Sequence, residues 1–194
     1  MTVTKRPGSI DITWGGLRRQ TLADFEWILC DELFDWRHEE VAAYVDDERL
    51  RHIPAPTRPG ALWNLHKSYN EALRHCRGRF VVSLQDYIWI PDEGLRHFWE
   101  AYQTLGPRAL VTGLATLWEL PSEVADPLGK VSLFEPPGER HPTVMTRPDH
   151  RAGGEGRLVE KPFWMWELNW GGAPLATFHE LGGFPEEHDD LFYS

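Results

Sequence analysis

Two apolar runs of strand length, each ending in an acid, constrain this chain more than any other feature. Asp24 to Cys30 (DFEWILC) leads straight into Asp31 and Glu32, and Phe80 to Leu84 (FVVSL) leads straight into Gln85 and Asp86. Continuous apolar runs of this length fit strands buried on both faces of a parallel sheet, with the carboxylates standing at the C-terminal edge. In open α/β sheets that edge is where ligands bind. Helical spacing fills the intervals. Ile10, Trp14 and Leu17 share a face within 9–20, Val41, Tyr44 and Val45 within 36–47, and Leu62, Leu65, Tyr69, Leu73 and Cys76 ahead of the stop at Gly78. After Pro91 comes a further helix through Leu95, Phe98, Trp99, Tyr102 and Leu105. Short strands are expected at Leu50–Ile53 and Ala109–Thr112. Strands alternating with helices predict an α/β fold with a mostly parallel sheet flanked by helices, in a single domain.

Composition agrees and narrows the function. With 194 residues, 41% of them hydrophobic and 26% charged, the chain can bury a substantial core. Its 30 acidic against 20 basic residues give a formal charge of -10, which disfavours nonspecific nucleic-acid binding and a basic membrane-surface role. Cys30 and Cys76 form no CxxC pair and are too few for a disulfide framework, so a reducing, cytoplasmic setting is expected. No apolar run approaches the roughly 20 residues of a transmembrane segment. From 121 to 162 the pattern dissolves into Pro, Gly and charge, as in a long active-site loop. Strand character resumes at Phe163–Trp170 (FWMWELNW), followed by a short helix over Pro174–Leu181 closed by Gly182 and Gly183.

Four motifs in order then resemble the family 2 glycosyltransferases, nucleotide-sugar-dependent enzymes of the GT-A (Rossmann-like) fold. TVTKRPG is similar to the family's P-x-Y-N-R-P loop and keeps Arg6 and Pro7. LRRQT at 17–21 followed by ILCDE at 28–32 resembles L-x-Q-T before a strand ending V-D-D. NEAL at 70–73, GRFVVSL at 78–84 and QDY at 85–87 resemble the helix, strand and acidic DxD-type turn that follow. HELGGFPEE at 179–187 matches the acceptor-side segment closely. The chain departs from the family at the metal turn, where Gln85 and Tyr87 flank Asp86 alone. One carboxylate with two diphosphate oxygens can still hold a hard divalent cation, at lower affinity and with more dependence on bound nucleotide.

The resemblance implies a nucleotide-binding half over 1–112 and an acceptor-side half over 113–194 that carries the irregular loop 121–162. It implies that Asp31, assisted by Glu32, hydrogen-bonds the base or ribose, and that Arg6, Lys67 and Asn70 approach the diphosphate. Asp86, with Gln85 beside it, is the expected ligand of Mn²⁺ or Mg²⁺, which offsets charge on the leaving group. Trp166, Glu167, Asn169 and Trp170 are expected at the sugar or acceptor, because aromatic faces stack on sugar C–H faces while Glu and Asn address hydroxyls. Strand alternation would place Trp164, Trp166, Leu168 and Trp170 on one face. The family's general base is an acid shortly after the G-G-F segment, which here means Asp189 or Asp190.

The expected activity is transfer of a sugar, with inversion, from a nucleotide sugar such as a UDP-sugar to a hydroxyl on a glycan, lipid-linked or small-molecule acceptor. The alternative is a catalytically silent nucleotide-sugar-binding protein of the same fold, consistent with the reduced QDY turn. A sugar-binding module fits poorly, since such modules are mostly all-β. Met1–Thr4 falls short of a central strand of five or six residues, and little follows Asp190. The expectation is a fragment of a longer enzyme, with nucleotide binding but little transfer by the chain alone.

Overall fold

The computed structural model describes residues 1–5, 10–56, 64–86, 88–113, 116–119, 145–148 and 166–189. The elements run β1 (Thr2–Thr4), α1 (Ile10–Leu17), β2 (Trp27–Asp31), α2 (Phe34–Val45), β3 (Leu50–Pro54), α3 (Leu65–His75), β4 (Phe80–Leu84), α4 (Gly94–Leu105), β5 (Val111–Thr112), β6 (Thr116–Glu119), β7 (Met145–Pro148), β8 (Trp170–Pro174) and α5 (Leu175–Glu180). A 3₁₀ turn, Glu186–His188, follows.

β1, β2 and β3 pair in parallel, with Thr4 opposite Asp31 and Asp31 opposite Pro54. β4, β8 and β5 form an antiparallel set with β8 in the middle. Met1 ties the two sets together, since its amino group donates to the Val82 carbonyl at 2.6 Å and its carbonyl accepts from the Leu84 amide at 2.9 Å. The three residues Thr2–Thr4, judged too short for a central strand, therefore lie between β2 and β4. The expected parallel order holds from β1 to β3 and fails at β8. Hydrophobic periodicity identifies strands but carries nothing of their direction.

Alternation across β2 explains why helices cover both faces. Trp27 and Leu29 point into a cluster with Ile10, Trp14, Leu17 and Phe98, whereas Ile28 and Cys30 point into a second cluster with Tyr69, Leu73 and Phe178. α1, α2 and α4 thus pack on one face, and α3 and α5 on the other. Gln20, in the LRRQT motif, stitches the first layer together. Its amide nitrogen donates to the Gly16 and Pro91 carbonyls, and its oxygen accepts from the Leu95 amide at the start of α4.

Among the described residues of the aromatic stretch 163–170, Trp170 alone lies in a strand. Residues 163–165 lie outside the described residues, 166–169 are irregular, and β8 begins at Trp170 and continues through Gly171 and Gly172. Glycine is required there: a Cβ on Gly172 would stand 2.5 Å from the Phe80 ring, and one on Gly171 would stand 2.0 Å from the Glu167 carbonyl oxygen. Close packing has replaced strand propensity as the deciding factor. The stretch 121–162 is not irregular throughout either, because β7 within it pairs antiparallel with β6. Its remaining residues lie outside the described residues. Among the described residues no helix is long and apolar enough to cross a membrane.

Candidate functional site

Because β1 runs parallel to β2 and steps in parallel along β4, the chain leaves all three strands at one edge. That edge gathers Thr4 and Lys5, Asp31 and Glu32, and Gln85 and Asp86, as the acid-terminated runs predict. A cavity of about 560 Å³ lies at the other end of these strands, among Met1, Trp27, Phe80, Arg77 and Trp99, and includes none of the expected site residues. The strand edge is the better candidate, since the chemistry-bearing groups are there.

Asp86 is buried and accepts a hydrogen bond from the Thr4 hydroxyl at 2.6 Å, joining the ends of β1 and β4. Beside it, Gln85 donates its side-chain amide to Asn169 Oδ1 at 2.5 Å and its backbone amide to the Asn169 carbonyl at 3.1 Å. Gln85 Oε1 is buried without a partner among the described residues. A neutral oxygen and a carboxylate on adjacent residues are both ligand types that a hard cation takes, its remaining oxygens coming from a bound ligand. Among the described residues no three His, Cys, Asp or Glu side chains are grouped to hold a metal by themselves.

Asp31 has a different occupation from the one expected. Its Oδ1 accepts from the Leu33 amide and Arg37 Nη2, each at 2.8 Å. Its Oδ2 accepts from Arg37 Nε at 2.7 Å and His52 Nε2 at 2.9 Å. Burial alone would raise the carboxyl's pKa, but the His52 and Arg37 hydrogen bonds outweigh it and hold the group below its ordinary 3.8. With four donors in place and the side chain 0% exposed, Asp31 has neither a lone pair nor a surface to offer a nucleoside. Its role here is to lock β2, α2 and β3 together.

Glu32 is the less buried member of the pair. It is half-buried, burial pushes its pKa upward, and one oxygen reaches the Asn64 amide at 3.5 Å. Lys5 and Asp189 lie close enough to act on its charge. Asn64, which precedes α3, is 3% exposed and its Oδ1 is buried without a partner among the described residues.

Asp189 is drawn to the same edge as a helix cap. Its Oδ1 accepts from the His66 amide at 2.7 Å and its Oδ2 from the Lys67 amide at 3.1 Å, both in the first turn of α3. His66 Nδ1 stands 3.0 Å from the same Oδ1. Asn70, expected at a diphosphate, instead clamps the GGF segment. It donates to the Phe184 carbonyl at 3.0 Å and Glu186 Oε1 at 2.8 Å, and accepts from the Phe184 amide at 2.8 Å. Lys67 is partly exposed on α3, while Arg6 and Asp190 lie outside the described residues.

The expected sugar wall is divided. Trp170 is buried against Phe98, with its ring filling the space above Gly113, and Trp166 packs in the opposite cluster near Phe178 while donating to the Val111 carbonyl. The loss of strand geometry over 166–169 is the reason the two rings do not share a face. Asn169 is exposed and bonded to Gln85 at the carboxylate edge, and Glu167 is partly exposed. Sequence reading missed Thr4, Arg37, His52 and Asn64. Arg37 and His52 lie 6 and 21 residues from Asp31, so no short motif could have joined them.

No protein-family model matches the sequence, and no curated relative matches it. Solved structures share its fold, among them three crystal structures of S. aureus TarS. The first is TarS itself, with a TM-score of 0.59, 16% identity, and coverage of 97% of this chain and 30% of that one. The second is TarS 1–349, with a TM-score of 0.59, 15% identity, and coverage of 97% and 50%. The third is TarS 1–349 in complex with UDP, with a TM-score of 0.59, 16% identity, and coverage of 98% and 50%. This chain therefore spans between about a third and a half of the length of these structures, and its fold is glycosyltransferase-like.

Proposed function

We propose that the chain is the nucleotide-sugar-binding part of a family 2-type glycosyltransferase of the GT-A fold, taking a UDP-sugar as donor and a hydroxyl acceptor. The observation that carries this reading is the strand edge where Thr4, Glu32, Gln85 and Asp86 meet, in a fold shared with a protein crystallised with UDP. In this reading Asp86 and Gln85 would hold a divalent cation, and Lys5 adds positive charge beside Glu32. The cation, when bound, offsets the charge that develops on the departing diphosphate.

The acceptor oxygen attacks the anomeric carbon, the bond from that carbon to the diphosphate oxygen breaks with inversion, and the acceptor's proton passes to a carboxylate acting as base. That base is Asp189 or Asp190. Asp189 is occupied by two amides of α3, so Asp189→Asn is expected to lower stability before it lowers turnover. Most of the acceleration comes from positioning and from stabilising the leaving group. Asn169, exposed and bonded to Gln85, is the residue best placed to link the phosphate side to the acceptor side, and Glu167 is assigned to the same acceptor side.

Melting curves with UDP, with Mn²⁺ and with both test the reading. UDP with Mn²⁺ is expected to raise the melting temperature more than UDP alone, and Asp86→Ala and Asp86→Asn are both expected to abolish the Mn²⁺-dependent part, because the cation requires the charge. Equal shifts with and without Mn²⁺ in the unaltered chain would remove the metal role. Release of UDP from a UDP-sugar in the presence of acceptors separates an enzyme from a silent binding protein.

A further inference from the structure

We propose that the cavity of about 560 Å³ at the pole opposite the carboxylate edge binds an amphiphilic anion, with one apolar chain held inside and the anionic head at Arg77 and Arg79. That volume lies within the range of small-molecule sites. Its inner wall is apolar: Leu17 of α1, Trp27 at the start of β2, Leu84 at the end of β4 and Leu95 of α4 are all buried and all line it. Its mouth is marked by exposed residues, Asp24, Arg77, Gly78 and Arg79. Apolar side chains that line an opening to solvent gain free energy when a hydrocarbon chain displaces the water against them.

The charges at the mouth decide the sign of the head. Two neighbouring arginines already have acids, Arg51 facing Glu26 at 3.8 Å and Arg74 facing Glu71 at 2.6 Å. Among the described residues the Arg77 and Arg79 guanidinium groups are in no ion pair, and Arg79 lies over the ring of Trp99, itself a wall residue, at 5.1 Å. Glu26 spends one oxygen on the Arg77 and Gly78 backbone amides and turns the other to Arg51, which leaves Asp24 of the lining acids to set against two guanidinium groups. The balance favours an anion. A planar guanidinium pairs in the same way with a carboxylate or a phosphate, so either head fits. The site lies at the opposite end of the strands from Asp86, so its occupant is neither the donor nor the acceptor of the transfer proposed above, and it stands whether or not the chain binds UDP.

Calorimetric titration, with every probe below its micellar concentration, tests the site on the unaltered chain and on two variants checked for an unchanged circular dichroism spectrum. One is the double variant Arg77→Ala/Arg79→Ala, at two exposed positions, and the other is Leu22→Trp, which adds bulk to a half-buried wall residue. Hexanoate, octanoate and decanoate should bind one per chain, with affinity rising about fourfold per methylene. Octanol, which lacks the charge, should bind about tenfold more weakly than octanoate, and octyltrimethylammonium more weakly still. The double variant should lose about tenfold for octanoate and nothing for octanol, whereas Leu22→Trp should weaken both. Octyl phosphate names the head: binding tighter than octanoate supports a phosphate-headed lipid, and binding no tighter supports a fatty carboxylate. Octanoate affinity unchanged in the double variant overturns the anionic head at Arg77 and Arg79, and unchanged affinity in Leu22→Trp overturns the cavity as its place. No saturable binding, no dependence on chain length, or octyltrimethylammonium bound as tightly as octanoate overturns the proposal as a whole.

Discussion

At the scale of single residues, the position of Asp31 was legible in the sequence and its work was not. An acid after an apolar run marks a strand end, but the sequence cannot say whether the carboxylate faces a ligand or a buried arginine. The decision is made by Arg37, one turn into α2, and by His52 on β3, both nearly buried themselves. Removing one partner of a buried, hydrogen-bonded ion pair leaves an uncompensated charge, which costs about 3–5 kcal/mol. Arg37→Ala is therefore expected to lower unfolding free energy in urea by that order. The Asp31 carboxyl titrates below its ordinary 3.8 in the folded chain, so its contribution to stability is present above that pH and is lost as pH falls through the lower folded value. Urea unfolding of the unaltered chain should accordingly weaken over that acid range, and Arg37→Ala should flatten the dependence. An Arg37→Ala variant as stable as the parent would show that the Asp31 lock contributes little.

At the scale of elements, the helices were read more closely than the strands. α3 follows its apolar pattern because Tyr69, Ala72 and Leu73 must face the sheet, and the pattern survives any choice of neighbour. β8 could not be read so, since its two glycines answer to Phe80 and to the Glu167 carbonyl, which approach from distant parts of the chain. The GGFPEE motif was visible, yet its partner was not. Asn70 and the first turn of α3 hold it from more than a hundred residues away. Gly183, at φ +83, needs glycine twice over, because a Cβ there would also stand 2.5 Å from Asn70 Oδ1. Asp189 caps α3 as a local Ser or Asp would cap another helix, so Asp189→Ala should cost about 0.5–2 kcal/mol. Hydrogen exchange locates the effect: the His66 and Lys67 amides should exchange faster in the variant, while those of α4 should not change. Unaltered protection at His66 and Lys67 would show that the cap is dispensable.

At the scale of the whole molecule, the site depends on a junction between two kinds of sheet. The parallel set supplies Thr4 and Glu32, the antiparallel set supplies Asp86 and the Gln85–Asn169 pair, and Met1 and Thr4 are where the sets touch. The sequence announced each strand end but not that β1 would lie between them, because three residues of strand carry too little pattern to be placed. Thr4→Val tests the junction with almost no change of shape. It removes the hydroxyl that donates to Asp86 at 2.6 Å, and depriving a buried carboxylate of a donor costs about 1–3 kcal/mol. Asp86 would also lose one of the contacts that aims it. Stability and Mn²⁺-dependent UDP binding should therefore fall together in Thr4→Val, whereas Thr4→Ser, which keeps the donor, should restore the second more fully than the first because it lacks the methyl. If Thr4→Val lost stability yet kept the full Mn²⁺-dependent shift, the two halves would be joined for folding alone, and Asp86 would owe its orientation to β4 without β1.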